Sequence, residues 1–524
     1  MKKILRNIYL VGFMGSGKSA VASELAALLR RRCVDMDFEI ESLFEKPITK
    51  IFELAGEERF REIESRLLKC IASANRAVVS TGGGIVVRNE NIRRMRHSGL
   101  VVFLRASFDE CRKRVGPAAR KTRPLWQNPA AAKKLFSARV KLYKQAAELV
   151  VDTDGISPRQ AAEIIAKKVL SQLDCEFTAS LGGEKSQVIS TADAPAVVSK
   201  NLAGQRVVLL TDSNVAKLHL ERYNAALPDC HVHILPPGER IKTLDSAKRF
   251  YQKLLELKIN RDDVLLAVGG GTVTDFGAYV AFTFKRGIKF VLVSTTLLGC
   301  VDAAVGGKAA VNLENTKNII GCFTVPQLVV LDAWAFSTLP AQRVREGLVE
   351  AYKTGLIYNA QLAEIIEKNL DALLDGDTVL LSLIAAESAR TKAAVVSQDF
   401  RESSLRAILN FGHTFGHAVE GFNKYKASHG YCIATGMAVA VELSLARGLI
   451  SSQLADRIKT TLNSIVPKMP RCPSLAQAQT IMENDKKIRQ GKLVFVLLEG
   501  MGKTRMVSDI SRSELSRAIK KQEI

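Results

Sequence analysis

Along residues 1–173, short runs of β-branched and aliphatic residues alternate with longer stretches of helical period. The runs IYLVGF, AVVSTGG, GLVVFLRA and ELVVDT read as strands, and helices between them are the signature of a covered parallel sheet. The last helical stretch, about Ser157 to Gln172, opens with a serine and places Pro158 in its first turn, both favourable start signals. A second alternation starts at Asp174 with QVIS, RVVLLTD, HVHILPPGE, VLLAVGGGTVTD, KFVLVSTT and QLVVLD, an α/β pattern with its own glycine-rich turn. Beyond about Leu339 amphipathic helical stretches take over, apart from a possible strand at KLVFVLLE. The pattern predicts an α/β chain of three structural domains: a parallel-sheet domain over 1–173, a second α/β domain over 174–339, and an all-helical domain over 340–524.

At 524 residues the chain exceeds what a single core fills, so two separate activities fit inside it. Hydrophobic residues at 47% and charged residues at 24% indicate a chain folded throughout, which excludes a disordered interaction segment. The opening MKKILRNIYLVGF imitates a secretory signal, but its apolar run passes straight into a glycine-rich loop without a cleavage site, so it reads as a first strand. No apolar run approaches the roughly 20 residues of a membrane helix. Nine cysteines without a CxxC pair read as reduced thiols of a cytoplasmic enzyme. A net charge of +22 attracts anions, and because the basic residues are spread without interleaved aromatics, phosphorylated metabolites suit that field better than nucleic acid.

The stretch Gly12-Phe-Met-Gly15-Ser-Gly17-Lys18-Ser19 fits a phosphate-binding loop and stands where one must, after a strand and before a helix. Glycines let backbone N–H groups converge on phosphate oxygens, Lys18 neutralises the outer phosphates, and the Ser19 hydroxyl can join Mg²⁺. That loop names the phosphate donor; the acceptor has to be read from residues further along the chain. Asp35 and Asp37, one residue apart on an expected extended segment, point the same way; one can reach the metal and the other a substrate hydroxyl. Arg61 in FREIE can fork onto a carboxylate, Gly82-Gly83-Gly84 permits close approach of a ligand, and Arg139 stands four residues before Tyr143 on an expected helix. The basic segment RKRVGPAARKTRPLW, interrupted by Gly116, Pro117 and Pro124, suits a lid closing over ATP.

GFMGSGKS, DMD, FREIE, STGGG, TRPL and the Arg139/Tyr143 pair together resemble shikimate kinase over about residues 5–172. The resemblance implies that Gly12, Gly15, Gly17, Lys18 and Ser19 hold ATP and Mg²⁺ with Asp35 near the metal. It implies that Asp37, Arg61, Gly83, Gly84 and Arg139 hold shikimate, and that Arg123 closes from the lid. One departure is Trp126, where the family tends to carry an aliphatic residue.

In the second half, Gly269-Gly270-Gly271-x3-Asp275 follows the strand VLLAV, where a dinucleotide cradle and an ordinary strand-to-helix turn both fit. His413 and His417 lie four apart on one helix face, His429 comes after a turn, and Glu350 and Lys353 share a face of another helix. Three histidines within 17 residues, in a chain with seven, suggest a zinc site completed by a carboxylate, without saying which histidines bind. Arg286, Lys308, Lys353, Lys392 and Arg406 adjoin glycine or apolar segments, as suits an acidic, phosphorylated substrate.

TDSN, PPGERIK, GGGTVTD, STTLLGCVDAAVGGK, KNIIG, VEAYKTGLI, LRAILNFGHTFGHAVE and SHG are similar to 3-dehydroquinate synthase over about residues 178–505. The similarity implies Glu350, His413 and His429 as ligands of zinc or cobalt, with His417 near the substrate phosphate. It implies substrate contacts from Arg286, Asp302, Lys308, Asn318, Lys353, Lys392, Arg406, Asn410 and Lys487. Around NAD⁺ it implies Asp212, Asn214, Glu239, Lys242, Gly270, Gly271, Asp275, Thr295 and Thr296. The implied reaction converts 3-deoxy-arabino-heptulosonate 7-phosphate into 3-dehydroquinate and phosphate without net consumption of NAD⁺, and the synthase fold suggests a homodimer. Tyr431 departs from the commoner pattern, which has glutamate two residues after the histidine. The leading reading is a bifunctional enzyme of aromatic amino acid biosynthesis, kinase first and synthase second. The alternatives are another sugar-phosphate cyclase, a metal-dependent polyol dehydrogenase, or a nucleic-acid-dependent ATPase.

Overall fold

The computed structural model describes residues 3–116, 124–314, 316–483, 488–489 and 492–521. They fall into two compact units, residues 1–172 with 377–379, and residues 173–376 with 380–524.

In the first unit five parallel strands, β1 (Asn7–Val11), β2 (Arg32–Asp35), β3 (Ala77–Ser80), β4 (Gly99–Arg105) and β5 (Leu149–Asp152), line up as β2-β3-β1-β4-β5. All of β1 is buried at the sheet centre, which is why its sequence is a continuous apolar run rather than an alternating one. Because β1, β2 and β3 run the same way, the glycine loop, Asp35 and Gly82–Gly84 emerge at one carboxyl edge. The expected closing helix runs Pro158–Leu170, with Ser157 and Gln160 forming a reciprocal capping box.

The second unit holds β6 (Cys175–Leu181), β7 (Glu184–Thr191), β8 (Val207–Asp212), β9 (His231–Leu235), β10 (Val264–Gly269) and β11 (Lys289–Ser294). A hairpin of β12 (Lys308–Leu313) and β13 (Thr316–Phe323) precedes β14 (Leu328–Asp332). The sheet order is β6-β7-β14-β11-β10-β8-β9, parallel except for β6 against β7. From β8 the chain steps outward to β9 and then returns to β10 on the other side of β8. The carboxyl ends of β8 and β10 therefore flank a topological switch, the place where such sheets receive a nucleotide.

Beyond β14 the chain is mainly helical, as expected, but not wholly so. KLVFVLLE breaks into Lys492–Leu493 and a strand Phe495–Gly500, which pairs antiparallel with Lys503–Val507. Among the described residues one helix, His429–Ala446, is long and apolar enough to cross a membrane, and 78% of it is buried inside the unit. None of the nine cysteines is joined in a disulfide.

Candidate functional site

In the first unit, Gly17 takes a left-handed φ of 92° and caps the helix Lys18–Leu29, so the loop leads directly into a helix N-terminus, where free N–H groups favour an anion. Lys18 Nζ donates to the Gly12 and Phe13 carbonyls at 3.0 and 3.2 Å, folding its charge back over the loop. Ser19 Oγ lies 3.3 Å from Ser80 Oγ at the end of β3.

Asp35 and Asp37 do not share an extended segment. Asp35 closes β2 and caps the helix Met36–Phe44, accepting from the N–H groups of Asp37 and Phe38 at 3.0 and 3.4 Å, so Asp37 already lies in the first helical turn. The acidic DMD stretch favours a helix start over continued strand, because a carboxylate at the cap satisfies otherwise unbonded N–H groups. Asp37 still faces the glycines: a Cβ on Gly82 would come within 2.9 Å of its Oδ1.

Arg61 NH1 donates to Glu64 Oε2 at 2.8 Å and NH2 to Glu57 Oε1 at 3.2 Å. Gly84 passes so close that any Cβ there would collide with the Arg61 guanidinium. Tyr143 donates to the Gly83 carbonyl at 2.5 Å, and Arg139 one turn earlier keeps a buried Nε with no hydrogen-bond partner. Glu64 Oε1 is likewise buried and unpartnered, and burial raises the Glu64 pKa although Arg61 opposes it. Two unsatisfied polar atoms beside Asp37 and the glycines describe a pocket suited to a polar ligand. Glu64 was absent from the expected site set. The only signal for it was its three-residue spacing from Arg61.

Trp126 is buried against Phe13 and Phe108, its Nε1–H directed at Met14 Sδ. The departure at this position therefore fills core behind the glycine loop. Arg123 lies outside the described residues, as does Lys487 of the second half.

At the β8/β10 switch of the second unit, Asp212 caps the helix Ser213–Ala226 by accepting from Asn214 N at 2.8 Å and Val215 N at 3.1 Å. Gly270 caps the helix Gly271–Thr283 beside Thr296, and Thr295 keeps a buried hydroxyl without a partner. Lys242 is buried and donates to Asp275 and to Asn318, each at 2.5 Å. Burial works against its charge, but Asp275 and Glu239 outweigh that and raise its pKa. Asn318, expected among the substrate contacts, thus stands in the nucleotide-side network. Asn312 was missed entirely: it donates to Glu239 at 3.2 Å and accepts from Asn318 N at 2.9 Å.

The helix Ala341–Tyr358 carries Glu350 and Lys353, paired at 2.5 Å and both buried. Glu350 Oε1 has no hydrogen-bond partner and faces His413 Nε2 at 3.8 Å and His429 Nε2 at 4.0 Å. The ring nitrogens turned away are engaged: His413 Nδ1 stands 3.2 Å from the Phe411 carbonyl and His429 Nδ1 3.4 Å from Glu420 Oε2. Two imidazoles oriented from behind and one bare buried carboxylate oxygen fit a divalent ion with an open position. His417, Glu420 and His429 form a second, overlapping group. Glu420, held down to about 2 by His429 and Lys317 against the effect of burial, works as the outer partner.

Around this group, Lys392 donates to both the carbonyl and the carboxylate of Asp302 at 2.5 Å, and Arg406 donates to the carbonyls of Phe400 and Gly306 at 2.6 and 2.8 Å. Lys308 and Asn410 converge on Glu402. Lys392 and Lys353 hold Asp302 well below the usual carboxylate range despite its burial. Glu402 and Glu420 were not anticipated, since a lone glutamate in the sequence looks like any surface charge.

Arg286 does not join this cluster. It lies past the far end of the helix Gly271–Thr283, about 20 Å along its axis from Gly271, and lines an open pocket of about 450 Å³ with Asn260, Arg261 and Lys285.

The comparisons with known proteins divide along the same line as the two units. Residues 14–173 match the shikimate kinase family model, 232–346 the 3-dehydroquinate synthase N-terminal model and 347–488 the C-terminal model. A 3-dehydroquinate synthase from Desulforamulus reducens is 38% identical over 325 residues, covering 61% of this chain and 90% of that protein. The 2-epi-5-epi-valiolone synthase of Streptomyces hygroscopicus, solved with NAD⁺ and Zn²⁺ bound, superposes at a TM-score of 0.61 with 23% identity, over 66% of this chain and 99% of that one, and shows the fold alone. A bifunctional shikimate kinase/3-dehydroquinate synthase from Thermotoga maritima is 32% identical over 493 residues, 93% of this chain and 94% of that protein. Because that likeness runs across both units and not one of them, the chain belongs to the bifunctional shikimate kinase/3-dehydroquinate synthase family.

Proposed function

We propose that the first unit transfers the γ-phosphate of ATP to shikimate and that the second converts 3-deoxy-arabino-heptulosonate 7-phosphate into 3-dehydroquinate and phosphate, as in the aromatic amino acid pathway. The observation that carries the reading is that two distinct polar constellations, one at a phosphate-binding loop and one around a carboxylate and two imidazoles, occur in separate units. The alternatives of another cyclase or a polyol dehydrogenase leave the match across the whole bifunctional relative without a reason. The domain boundaries proposed are 1–173, 174–339 and 340–524.

In the kinase, Lys18 and the loop N–H groups bind the phosphates, Ser19 and Asp35 attend the Mg²⁺, and Arg61 and Arg139 bind the shikimate carboxylate. Asp37 orients the hydroxyl that attacks. Glu64 Oε1, already aimed into the pocket, accepts a hydrogen bond from the acceptor. Arg123 would close from the lid segment.

In the synthase, Glu350, His413 and His429 would hold zinc or cobalt, and Asp212, Asn214, Glu239, Lys242, Gly270, Gly271, Asp275, Thr295 and Thr296 would surround NAD⁺. The metal supplies Lewis acidity at a substrate hydroxyl, and NAD⁺ supplies a hydride acceptor that is returned unchanged. Lys308, Lys353, Lys392 and Arg406 neutralise the carboxylate and phosphate of the substrate. His417 lies close enough to the histidine pair to pass a proton near the leaving phosphate.

Since Arg286 stands far from this cluster in its own chain, a role in substrate binding requires a second copy. This supports a homodimer through the synthase half, and sedimentation velocity should give one species near twice 57.3 kDa. A sole monomeric species would remove Arg286 from the site. The protein is proposed to work in the cytoplasm on small-molecule substrates, without nucleic acid or membrane.

Proton NMR of the Zn²⁺-loaded protein with a trace of NAD⁺ tests the less constrained half. The heptulosonate phosphate should yield 3-dehydroquinate and free phosphate without accumulated NADH. A sample that phosphorylates shikimate but leaves this substrate untouched would assign the second half to another cyclase.

A further inference from the structure

The metal donors come from three separate helices, Ala341–Tyr358, His413–Phe422 and His429–Ala446, and the ligand set does not itself fix how close their backbones stand. Glu346, one turn before Glu350 on the helix Ala341–Tyr358, does so. It is buried, and its Oε1 accepts from Ser428 Oγ at 2.8 Å and Gln342 Nε2 at 3.2 Å, while Oε2 accepts from Arg343 at 2.7 Å. Ser428 occupies the cap position of the helix His429–Ala446, yet its side chain makes no cap bond to that helix. A serine there ordinarily accepts from the second or third helical N–H. Here its hydroxyl is directed across to the neighbouring helix.

A second observation meets the first at the same residue. A Cβ on Gly430 would lie 2.9 Å from both Cα and the carbonyl oxygen of Glu346, so the two backbones approach this closely only because residue 430 is glycine. The residues on either side of His429 are thus both seated on Glu346, one by a hydrogen bond and one by direct backbone contact.

We propose that Glu346 is a positioning residue of the synthase metal centre, locking the first turn of the His429 helix so that His429 Nε2 faces Glu350 Oε1. The carboxylates serving this helix start come from Glu346, through Ser428, and from Glu420, through His429 Nδ1.

The inference rests on Glu350, His413 and His429 being the metal donors. Metal-free protein titrated with Co²⁺ against a competing chelator, read by the visible absorption of the bound ion, tests both levels without an activity assay. Ser428→Ala and Glu346→Ala should each weaken Co²⁺ binding by about 10–100-fold and alter the band. Glu346→Gln, which still accepts from Ser428, should restore most of the affinity. Ser428→Ala removes a hydrogen bond to a buried carboxylate, so its metal-free melting temperature should fall modestly, and Co²⁺ affinities are compared where both proteins are folded. Wild-type affinity and spectrum in Ser428→Ala and Glu346→Ala, alongside loss of the band in Glu350→Ala, would overturn the role of Glu346. An undiminished band in Glu350→Ala would instead overturn the donor assignment beneath it.

Discussion

The two candidate sites hold most of their charges differently, although Arg61 in the first already pairs with Glu64 and Glu350 Oε1 in the second is bare. In the kinase unit, buried polar atoms stand without partners, Glu64 Oε1 and Arg139 Nε among them, and Lys18 rests on backbone carbonyls. In the synthase unit the cations already hold anions: Lys353 with Glu350, Lys392 with Asp302, Lys308 with Glu402 and Lys242 with Asp275. A pocket of unmet groups is completed by its ligand. A pocket of buried pairs exchanges partners when its ligand arrives, and keeps its cations in place meanwhile. The difference predicts what mutation does: removing a group from the first site deletes ligand contacts, whereas removing one from the second also strands its partner in a buried place.

Glu350→Ala should show this most strongly. Lys353 is left buried without its anion, so the metal-free synthase unit should lose about 3–5 kcal/mol in denaturant unfolding, the usual size of a broken buried pair. Synthase turnover should vanish while shikimate phosphorylation continues. Unchanged stability would mean that Lys353 finds another partner and that the pairing contrast between the sites is superficial.

Lys18→Ala is the counterpart. Its ammonium is bonded to carbonyls that water can serve, so the melting profile should match wild type while kinase kcat falls by about 10²–10³-fold. Equal stability with retained kinase activity would move phosphate neutralisation to another cation.

How far each site was legible in the sequence depends on the same contrast. The phosphate loop is one continuous segment whose glycines, lysine and flanking strand and helix occur in order, so local pattern suffices. Most strands of both sheets were legible because buried parallel strands are unbroken apolar runs, but β2, exposed over Arg32 and Cys33, and the alternating, antiparallel β6 were not. Lys503–Val507 was not legible either, being a short strand whose first three residues, Lys503, Thr504 and Arg505, are polar or charged. The Asp35–Asp37 geometry was misjudged because a cap bond, not the side-chain alternation of a strand, decides that turn. The synthase pairs were half legible: several lysines stood near glycines, but Glu402, Glu420, Glu346 and Asn312 each join the site through a partner 73 to 103 residues away. Arg286 was placed with the substrate residues by motif similarity, and its own chain holds it at the other end of a helix, so that role needs a second copy, which no pattern within one chain displays.

The smallest effect expected concerns the loop that delivers Arg406. Asp399 accepts from the N–H groups of Ser404, Ser403 and Arg406 at 2.7, 2.8 and 2.9 Å, and these hold its pKa well below the ordinary value against the effect of burial. A depressed folded pKa stabilises above the unfolded value, near 4, and that contribution is lost as the pH falls through the folded value. Asp399→Asn should therefore lower the melting temperature of the synthase transition by about 2–4 °C at pH 7. The gap to wild type should persist down to about pH 5 and narrow below about pH 4, as the wild-type carboxylate loses its advantage. A gap that stays constant into acid would show that the loop is held by the shape of the side chain and not by its charge, and would make the seat of Arg406 an exception to the pairing that governs the rest of the synthase site.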